Sequence, residues 1–244
     1  MAEHPLHYKT VEIEEGDGAR VRRLCPVAGL RYVDPFVLLD EFFVEHDAGF
    51  PDHPHRGFEA ISYLFSGAMR HRDNLGNDGE VNEGGVQVFT AGRGIVHSEL
   101  AVAEGTTHGL QVWVNLARIQ KELLPAYQQI DAGQLPTQKL PFGEVRTIVG
   151  PGSPIHLHTP VIYQDVRLQH EGEFHATVPD HYVGLVYAVS GRPEVLDEEL
   201  NEGEALVLTA GTVLTVYAEH DSRFVYLTGK PHGEPIVQNG PYVD

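Results

Sequence analysis

Two segments of the chain, VNEGGVQVFTAG (81–92) and LNEGEALVLTAG (200–211), carry the same pattern. Seven of the twelve aligned positions are identical, which is more than a shared strand propensity explains. A second matching pair lies upstream in the same order, ISYLFSG (61–67) and LVYAVSG (185–191). The sequence therefore indicates an internal duplication, with two homologous domains joined by the stretch near 117–135.

Both copies are built from short runs with strand character. A run such as FEAISYLFSG (58–67) is rich in β-branched and aromatic residues and ends at glycine. The 26 Gly and 16 Pro residues also favour a turn-rich β-protein. The best helical candidate is ARIQKELLPAYQQI (117–130), which Pro125 interrupts. We therefore expect an all-β fold with a short helical connector, divided into domains 1–132 and 133–244.

The charge balance limits the classes of partner. The formal net charge is −18, from 17 Lys and Arg residues against 35 Asp and Glu residues, so direct nucleic-acid binding is not expected. No apolar run approaches the roughly 20 residues that span a bilayer, and the N-terminus lacks a secretory pattern. The single cysteine, Cys25, excludes an intrachain disulfide. We expect a cytoplasmic monomer without membrane contact.

Two pairs of polar residues have the spacing of metal ligands on strands. The stretch PDHPHRGFEA (51–60) contains His53 and His55, and His97 and Glu99 repeat the same spacing. In a strand, residues i and i+2 project from the same face, so each pair can reach one cation. Two such strands, paired across a small barrel, would offer three nitrogens and one oxygen. That donor set suits Fe(II), Mn, Co, Ni, Cu or Zn better than Mg or Ca.

The duplication indicates which half should hold the metal. Aligning the two TAG segments and the two SG turns places a different residue at each of the four positions in the second copy. The residues opposite His53, His55, His97 and Glu99 are, in that order, Thr177, Pro179, Val216 and Ala218. The second half is therefore not expected to bind a metal in the same way.

Glu59 competes with Glu99 for the role of carboxylate ligand. It shares the strand parity of His55, but four residues of regular strand separate the two by about 13 Å. Glu99 needs no bend to reach the same ion as its neighbour His97. We therefore assign Glu59 a structural role, as a partner of Arg56 or Arg93.

These residues resemble the pirin family of the cupin superfamily. The resemblance implies two stacked jelly-roll barrels, of which only the N-terminal one binds metal, through His53, His55, His97 and Glu99. It also implies that the C-terminal tail packs back on the N-terminal barrel. The motifs that carry it span nearly the whole chain: DPFVLLDEF (34–42), PDHPHRGFEAISYLFSG (51–67), HRDNLGN (71–77), FTAGRGIVHSE (89–99), GLQVWVNL (109–116) and GEPIVQNGPYV (233–243).

The resemblance also implies a function. The family's metal is usually iron, so Fe(II) is the expected cofactor, and several bacterial members are similar in activity to quercetin 2,3-dioxygenases. The expected substrates are a flavonol-like aromatic molecule and O2, with Glu99 as the base that takes the substrate's hydroxyl proton. A eukaryotic member is a nuclear transcriptional coregulator, so the alternative is an iron-binding redox sensor that acts through protein partners. A different cupin reaction on another metabolite is a third possibility.

Further side chains are candidates for roles around the metal. Some could accept the second N–H of the metal-bound imidazoles, with a turn or surface role as the alternative for each. We expect Trp113 to fill core, and Phe42 and Phe50 to line the mouth for an aromatic ligand. The candidates for orienting the imidazoles are His71, Asp73, Gln111 and Asn115.

Overall fold

A computed structural model describes residues 5–244, and strands make up nearly all of its regular structure. The first eleven strands, β1 to β11, are Leu6–Lys9, Val11–Glu15, Asp17–Cys25, Phe36–His55, Phe58–Ser66, Ala68–Asp73, Asp78–Asn82, Val86–Thr90, Ile95–Ala101, Thr107–Asn115 and Ala126–Ile130. The remaining twelve, β12 to β23, are Thr137–Leu140, Gly143–Val149, Val161–Leu168, Gly172–Thr177, Val183–Ser190, Glu194–Val195, Glu198–Glu199, Glu204–Leu208, Val213–Ala218, Ser222–Gly229, Gln238–Asn239 and Tyr242–Val243. The predicted all-β class is confirmed.

The chain forms two compact units, and neither is continuous in sequence. The segments of the N-terminal unit are Val11–Gln134, Leu157–Thr159 and His232–Asp244. The described segments of the C-terminal unit are residues 5–10, Leu135–His156 and Pro160–Pro231. The predicted domains, 1–132 and 133–244, are each one continuous segment, whereas in the structure each end of the chain belongs to the unit formed mainly by the other half. At the start, β1 belongs to the C-terminal unit because it pairs with β19 over four residues.

The duplication is visible in the strand register. The two matching segments of the first copy pair as β5 with β8, and those of the second copy pair as β16 with β19, both antiparallel. Equivalent residues face each other in both units. These pairs are Ile61–Val88 and Tyr63–Val86 in the N-terminal unit, and Leu185–Val207 and Tyr187–Ala205 in the C-terminal unit. The repeated sequence therefore encodes the same strand pair twice.

In the N-terminal unit, the 20-residue strand β4 connects most of the sheet. Its sheet has ten strands, with the order β11-β8-β5-β10-β4-β9-β6-β7, and β2 and β3 joined to it through β4. Residues 36–44 of β4 pair with β10, and most of them pair with β3 as well, whereas residues 49–55 pair with β9, with a register shift between Phe50 and His53. Large apolar side chains fill the interior beside this strand, among them Phe58, Phe89, Ile95, Phe42 and Leu64. The long strand therefore runs from the buried interior of the unit to its more exposed edge.

The C-terminal unit has a seven-stranded and a four-stranded sheet. Their orders are β1-β19-β16-β21-β14-β13-β12 and β15-β20-β17-β18. The unit has one continuous apolar core, in which Phe174, Val216 and Phe224 are buried. In the smaller sheet, Val216 on β20 lies opposite Phe174 on β15. Burial of these apolar faces is the main favourable contribution to folding of the unit.

The predicted helical connector is wrong. Residues 117–130 contain a short 3₁₀ turn at Arg118–Gln120 and then strand β11, and a second 3₁₀ turn follows at Ala132–Gln134. Pro125 prevents a continuous helix through this stretch. The residues after it pair instead with β8, so a sheet neighbour provides the backbone hydrogen bonds that a helix would have supplied. Among the residues described, no helical segment has the length and hydropathy needed to cross a bilayer.

The last residues of the chain are fixed within the N-terminal unit. Val243 is fully buried, its backbone N–H donates to Arg56 O at 3.0 Å, and the Arg56 guanidinium pairs with Asp244 at 2.7 Å. The Lys121 ammonium donates to the carbonyl oxygens of Gly57 and Val243, at 2.9 and 2.8 Å. Gly57 has φ +89°, and a Cβ there would lie 1.8 Å from Val243 O. This approach requires glycine at position 57.

We expect Gly57→Ala to destabilise the protein more than Gly76→Ala. Gly76 has a similar φ of +93° with nothing within 4 Å, so alanine there meets only backbone strain, about 1–3 kcal/mol. Alanine at position 57 adds a clash with the last strand to the same strain. Thermal melting of the two variants measures the difference. Equal losses of stability would contradict the structural role of the Gly57–Val243 approach.

Candidate metal centre

Three histidines converge where β4 pairs with β9. His53 lies directly opposite His97, and His55 follows two residues after His53 on the same strand. Residues at i and i+2, and residues directly opposite on paired strands, project from one face of a sheet. One ring nitrogen from each histidine lies within 4.8 Å of the other two, and Nε2 of His53 is 3.1 Å from Nε2 of His97. The structure therefore brings together the three imidazoles that the sequence singled out.

Backbone carbonyl groups set the orientation of two of these rings. Nδ1 of His53 donates to Pro51 O at 2.7 Å, and Nδ1 of His55 donates to Pro241 O at 3.3 Å. A carbonyl oxygen can only accept, so in the neutral form of each ring the proton lies on Nδ1. The lone pair then lies on Nε2. This is the tautomer in which a histidine binds a metal through Nε2 while Nδ1 is held by the protein.

Burial also favours the neutral form of His55 and His97, the form that can bind a metal. Burial, followed by the nearby His53, lowers the pKa of His55 to about 3. Burial also lowers the pKa of His97 well below its usual value, with His53, His55 and His71 contributing further. These two rings are therefore unprotonated at neutral pH and can donate their lone pairs to a metal.

Glu99 lies beside this trio, at 3% exposure. One of its carboxylate oxygens is within 4.8 Å of ring nitrogens of His71 and His97, which makes a second group that could hold an ion. Ser62 donates to its Oε1 and Gln111 donates to its Oε2, each at 2.9 Å. His97 is thus shared between the two groups. A role for Glu99 as fourth ligand of the three-histidine group stays a prediction.

Glu59 belongs to neither of these groups and has different partners from those predicted. It is fully buried, and its carboxylate accepts hydrogen bonds from Thr90 Oγ1 and from the backbone N–H of His158, both at 2.8 Å. The His158 ring lies 2.9 Å from the same carboxylate. Arg56 pairs with Asp244 instead. Glu59 therefore links β5 to a segment that is 99 residues away in the chain.

Of the four candidates for orienting the imidazoles, His71 and Asp73 lie next to the three-histidine group, and Gln111 and Asn115 have other partners. His71 lies behind the β9 histidine and contacts Asp73, with 3.1 Å between Nε2 and Oδ2. Gln111 binds the Glu99 carboxylate rather than an imidazole. The Asn115 side chain binds neither Glu99 nor one of the three imidazoles, because its Oδ1 accepts a hydrogen bond from Lys121 at 2.8 Å.

Some residues of the site were not identified from the sequence. Ser62 is a buried polar residue in the otherwise apolar run ISYLF, and this contrast was a usable signal. Tyr127, whose ring stacks on His71 with 4.3 Å between centroids, lies in the stretch expected to be helical. The carbonyl groups of Pro51 and Pro241 carry no signal, since any residue supplies the same acceptor.

A cavity of about 650 Å³ adjoins the site. His53, His55 and Glu99 all line it. Its apolar lining includes both phenylalanines expected at the mouth, and Trp113 as well, which is also largely buried against Phe58. Cavities of this size are typical of sites for small organic ligands. The apolar side chains that line it include Val21, Leu38, Phe42, Phe50, Trp113 and Ile236.

Comparison with known proteins agrees with this architecture. The Pirin family matches residues 18–114, and the Pirin C-terminal cupin domain matches residues 163–244. A pirin-like protein of Solanum lycopersicum is 40% identical over 238 residues, covering 94% of this chain and 82% of its own. The chain belongs to the pirin family. Rat pirin is 38% identical over 243 residues, covering 95% of this chain and 84% of its own.

The two family matches confirm two cupin domains, and the three histidines lie within the first matched range. A crystal structure of a quercetin 2,3-dioxygenase from Acinetobacter baumannii superimposes with a TM-score of 0.91 at 31% identity, covering all of this chain and 92% of its own. The protein is a pirin-family cupin with a His/Glu cluster able to hold a metal ion. The donor set fits a transition metal, because neutral imidazole nitrogens and a carboxylate suit such ions.

We expect the metal-free protein to lose stability on acidification between about pH 6.5 and pH 3. The pKa of His55 is lowered on folding, so in this range the unfolded chain binds a proton that the folded protein excludes. Stability therefore falls with decreasing pH, by up to about 1.4 kcal/mol per pH unit for one such group.

Replacement of His55 by glutamine should make this dependence shallower. Urea unfolding at several pH values, with a chelator present, measures the slope. His46→Gln is the matched control, because His46 lies on the same strand and is exposed. A slope in the His55 variant as steep as in the control would contradict the assignment of a buried, neutral His55.

Proposed function

We propose that the protein is a metal-dependent dioxygenase that opens the heterocyclic ring of quercetin-like flavonols with O2. The observation that carries the proposal is the convergence of three imidazoles beside an aromatic-lined cavity. The similarity to a quercetin 2,3-dioxygenase at 31% identity supports the reaction type. A cavity of about 650 Å³ is of the right order for a planar polyphenol.

His53, His55 and His97 would hold the metal through their Nε2 atoms, with Glu99 as the fourth ligand. We propose Fe(II) as the native metal, and Mn, Co, Ni, Cu or Zn fit the same donor set. A bound metal of this kind supplies Lewis acidity that lowers the pKa of a substrate hydroxyl, together with a centre at which O2 can react.

Glu99 would accept the proton of the substrate hydroxyl. Its carboxylate lies in the cavity wall, and the hydrogen bonds from Ser62 and Gln111 fix its orientation. Gln111 is itself held, because its Oε1 accepts a hydrogen bond from the Trp113 indole at 3.1 Å. The aromatic side chains would bind the rings of the substrate and exclude water from the reacting atoms.

We expect Glu99→Gln to lower the rate of flavonol turnover by about 10²–10⁴-fold, because the carboxylate acts as the base. The variant must first be shown to retain its metal, by elemental analysis of the purified protein. Loss of the flavonol absorbance band in air measures turnover. Glu83→Gln, at an exposed position, is the control and should remain active. Full activity in metal-loaded Glu99→Gln would remove Glu99 from the role of base.

We expect His53→Ala and His97→Ala to lose the metal and, with it, the flavonol reaction. Each substitution removes one of the three converging nitrogen donors and therefore lowers the affinity for the metal. The metal content of protein reconstituted with Fe, Mn, Co, Ni or Cu is the primary measurement. His46→Ala serves as the control on the same strand. Stoichiometric metal in both variants would overturn the proposed site.

The second candidate is a non-enzymatic redox sensor that binds iron and acts through a protein partner. The net charge of −18 would suit a basic partner, which is the observation that favours it. The two candidates differ in one result. Tight metal binding without any metal-dependent flavonol turnover would favour the sensor, and turnover that requires His53 and His97 would favour the enzyme.

A further inference from the structure

A buried pair of side chains lies behind His97, on the side away from His53. Nδ1 of His71 is 3.4 Å from Nδ1 of His97, and Nε2 of His71 is 3.1 Å from Oδ2 of Asp73. The side chains of His71 and Asp73 are both completely buried. Strand β6 positions them, because it pairs with β9 and places Asp73 opposite His97.

The hydrogen-bonding capacity of Asp73 fixes the direction of this chain. Its carboxylate accepts from the backbone N–H groups of Leu75 and Asn77, at 2.9 and 3.0 Å, and from Asn77 Nδ2 at 2.8 Å. These donors stabilise the anion, and an anionic carboxylate only accepts. Nε2 of a neutral His71 therefore carries the proton that Asp73 accepts, and its Nδ1 carries the lone pair.

That lone pair can accept only the Nδ1–H of His97. The proton of the His97 ring is thus held on Nδ1, and its Nε2 lone pair is directed at the other two histidines, where Nε2 of His53 lies 3.1 Å away. Stacking on Tyr127, at 4.3 Å and 17° between planes, fixes the plane of the His71 ring. Strand β11 supplies this tyrosine through its pairing with β8.

We propose that His71 and Asp73 are positioning residues for the metal centre, which hold the Nδ1 proton of His97 and pass the negative charge of Asp73 to the metal through that ring. The inference rests on the three-histidine metal site of the proposed function. A carboxylate that accepts from a ligand imidazole makes the ligand more basic, and here a second imidazole extends that arrangement by one residue. The added negative charge strengthens metal binding and favours the higher oxidation state of a redox-active metal.

The same residues could instead form a second metal site from His71, His97 and Glu99. The hydrogen bonds argue for the positioning role. Both ring nitrogens of His71 already have partners, Asp73 at Nε2 and His97 at Nδ1. An ion there would have to break these contacts, whereas Nε2 of His53 and His55 can bind an ion without breaking the Nδ1 contacts that orient them.

The test is Asp73→Asn, with Asp78→Asn as the matched control. Asp78 lies on the same hairpin, but it is exposed and pairs with Arg70 and Arg72. Affinity for Zn²⁺ is measured by chelator competition, and the reduction potential is measured on the iron-loaded protein. We expect Asp73→Asn to weaken Zn²⁺ binding by about 10–100-fold. We also expect it to raise the potential, by about 59 mV for each tenfold shift between the two oxidation states.

His71→Phe keeps the stacking on Tyr127 and removes the acceptor for His97, so it should reproduce the loss of affinity if Asp73→Asn fails to fold. Unchanged affinity and potential in the folded variants, equal to those of Asp78→Asn, would overturn the proposal. Neither measurement uses turnover. A protein that binds Zn²⁺ and shows these shifts but leaves flavonols intact refutes the dioxygenase and keeps the positioning role. A protein that turns over flavonols, but whose Asp73→Asn and His71→Phe variants keep the original Zn²⁺ affinity and potential, supports the dioxygenase and refutes the positioning role.

Discussion

The register between β4 and β9 is the constraint on which the site depends. It places His53 opposite His97, and with the two-residue period of a strand it brings His55 to the same face. A slip of one residue in this pairing would turn the histidines of one of the two strands to the opposite face. The register is fixed on both sides, because β9 also pairs with β6 and β4 also pairs with β3 and β10. The convergence of the three imidazoles is therefore a consequence of sheet geometry.

Burial gives these imidazoles their chemical character and also has a cost. Removing the rings from water lowers the pKa of His55 and His97 and leaves neutral donors, but the fold gains nothing from their lone pairs while no ion is bound. Hydrogen bonds at Nδ1 compensate in part. They come from carbonyl groups for His53 and His55, and from His71 for His97. A bound ion would offset the rest, so metal and fold should stabilise each other.

Sequence reasoning reached the features that depend on local order along the chain. The repeat predicted two homologous domains, whose matching segments form strand pairs with a common register. The i, i+2 parity selected the three histidines that the structure brings together. What it missed depends on contacts between distant segments. Pro241 reaches His55 across 186 residues, and His158 reaches Glu59 across 99. No local pattern encodes such a contact. The connector was misassigned for a related reason, since pairing with β8 outweighed the helix propensity of its residues.

The C-terminal unit shows how the same strand pair can lose its polar face. Alignment of the repeats through the SG turns placed Thr177 at the position of His53, but strand pairing shows Phe174 opposite Val216, the counterpart of His97. The difference arises because five residues separate β15 from β16, whereas two separate β4 from β5. Phe174 and Val216 belong to the buried apolar core of their unit. A pair of converging imidazoles in one unit is replaced by a pair of buried apolar side chains in the other. The two copies can therefore share a backbone register while the N-terminal unit alone retains converging nitrogen donors at this position.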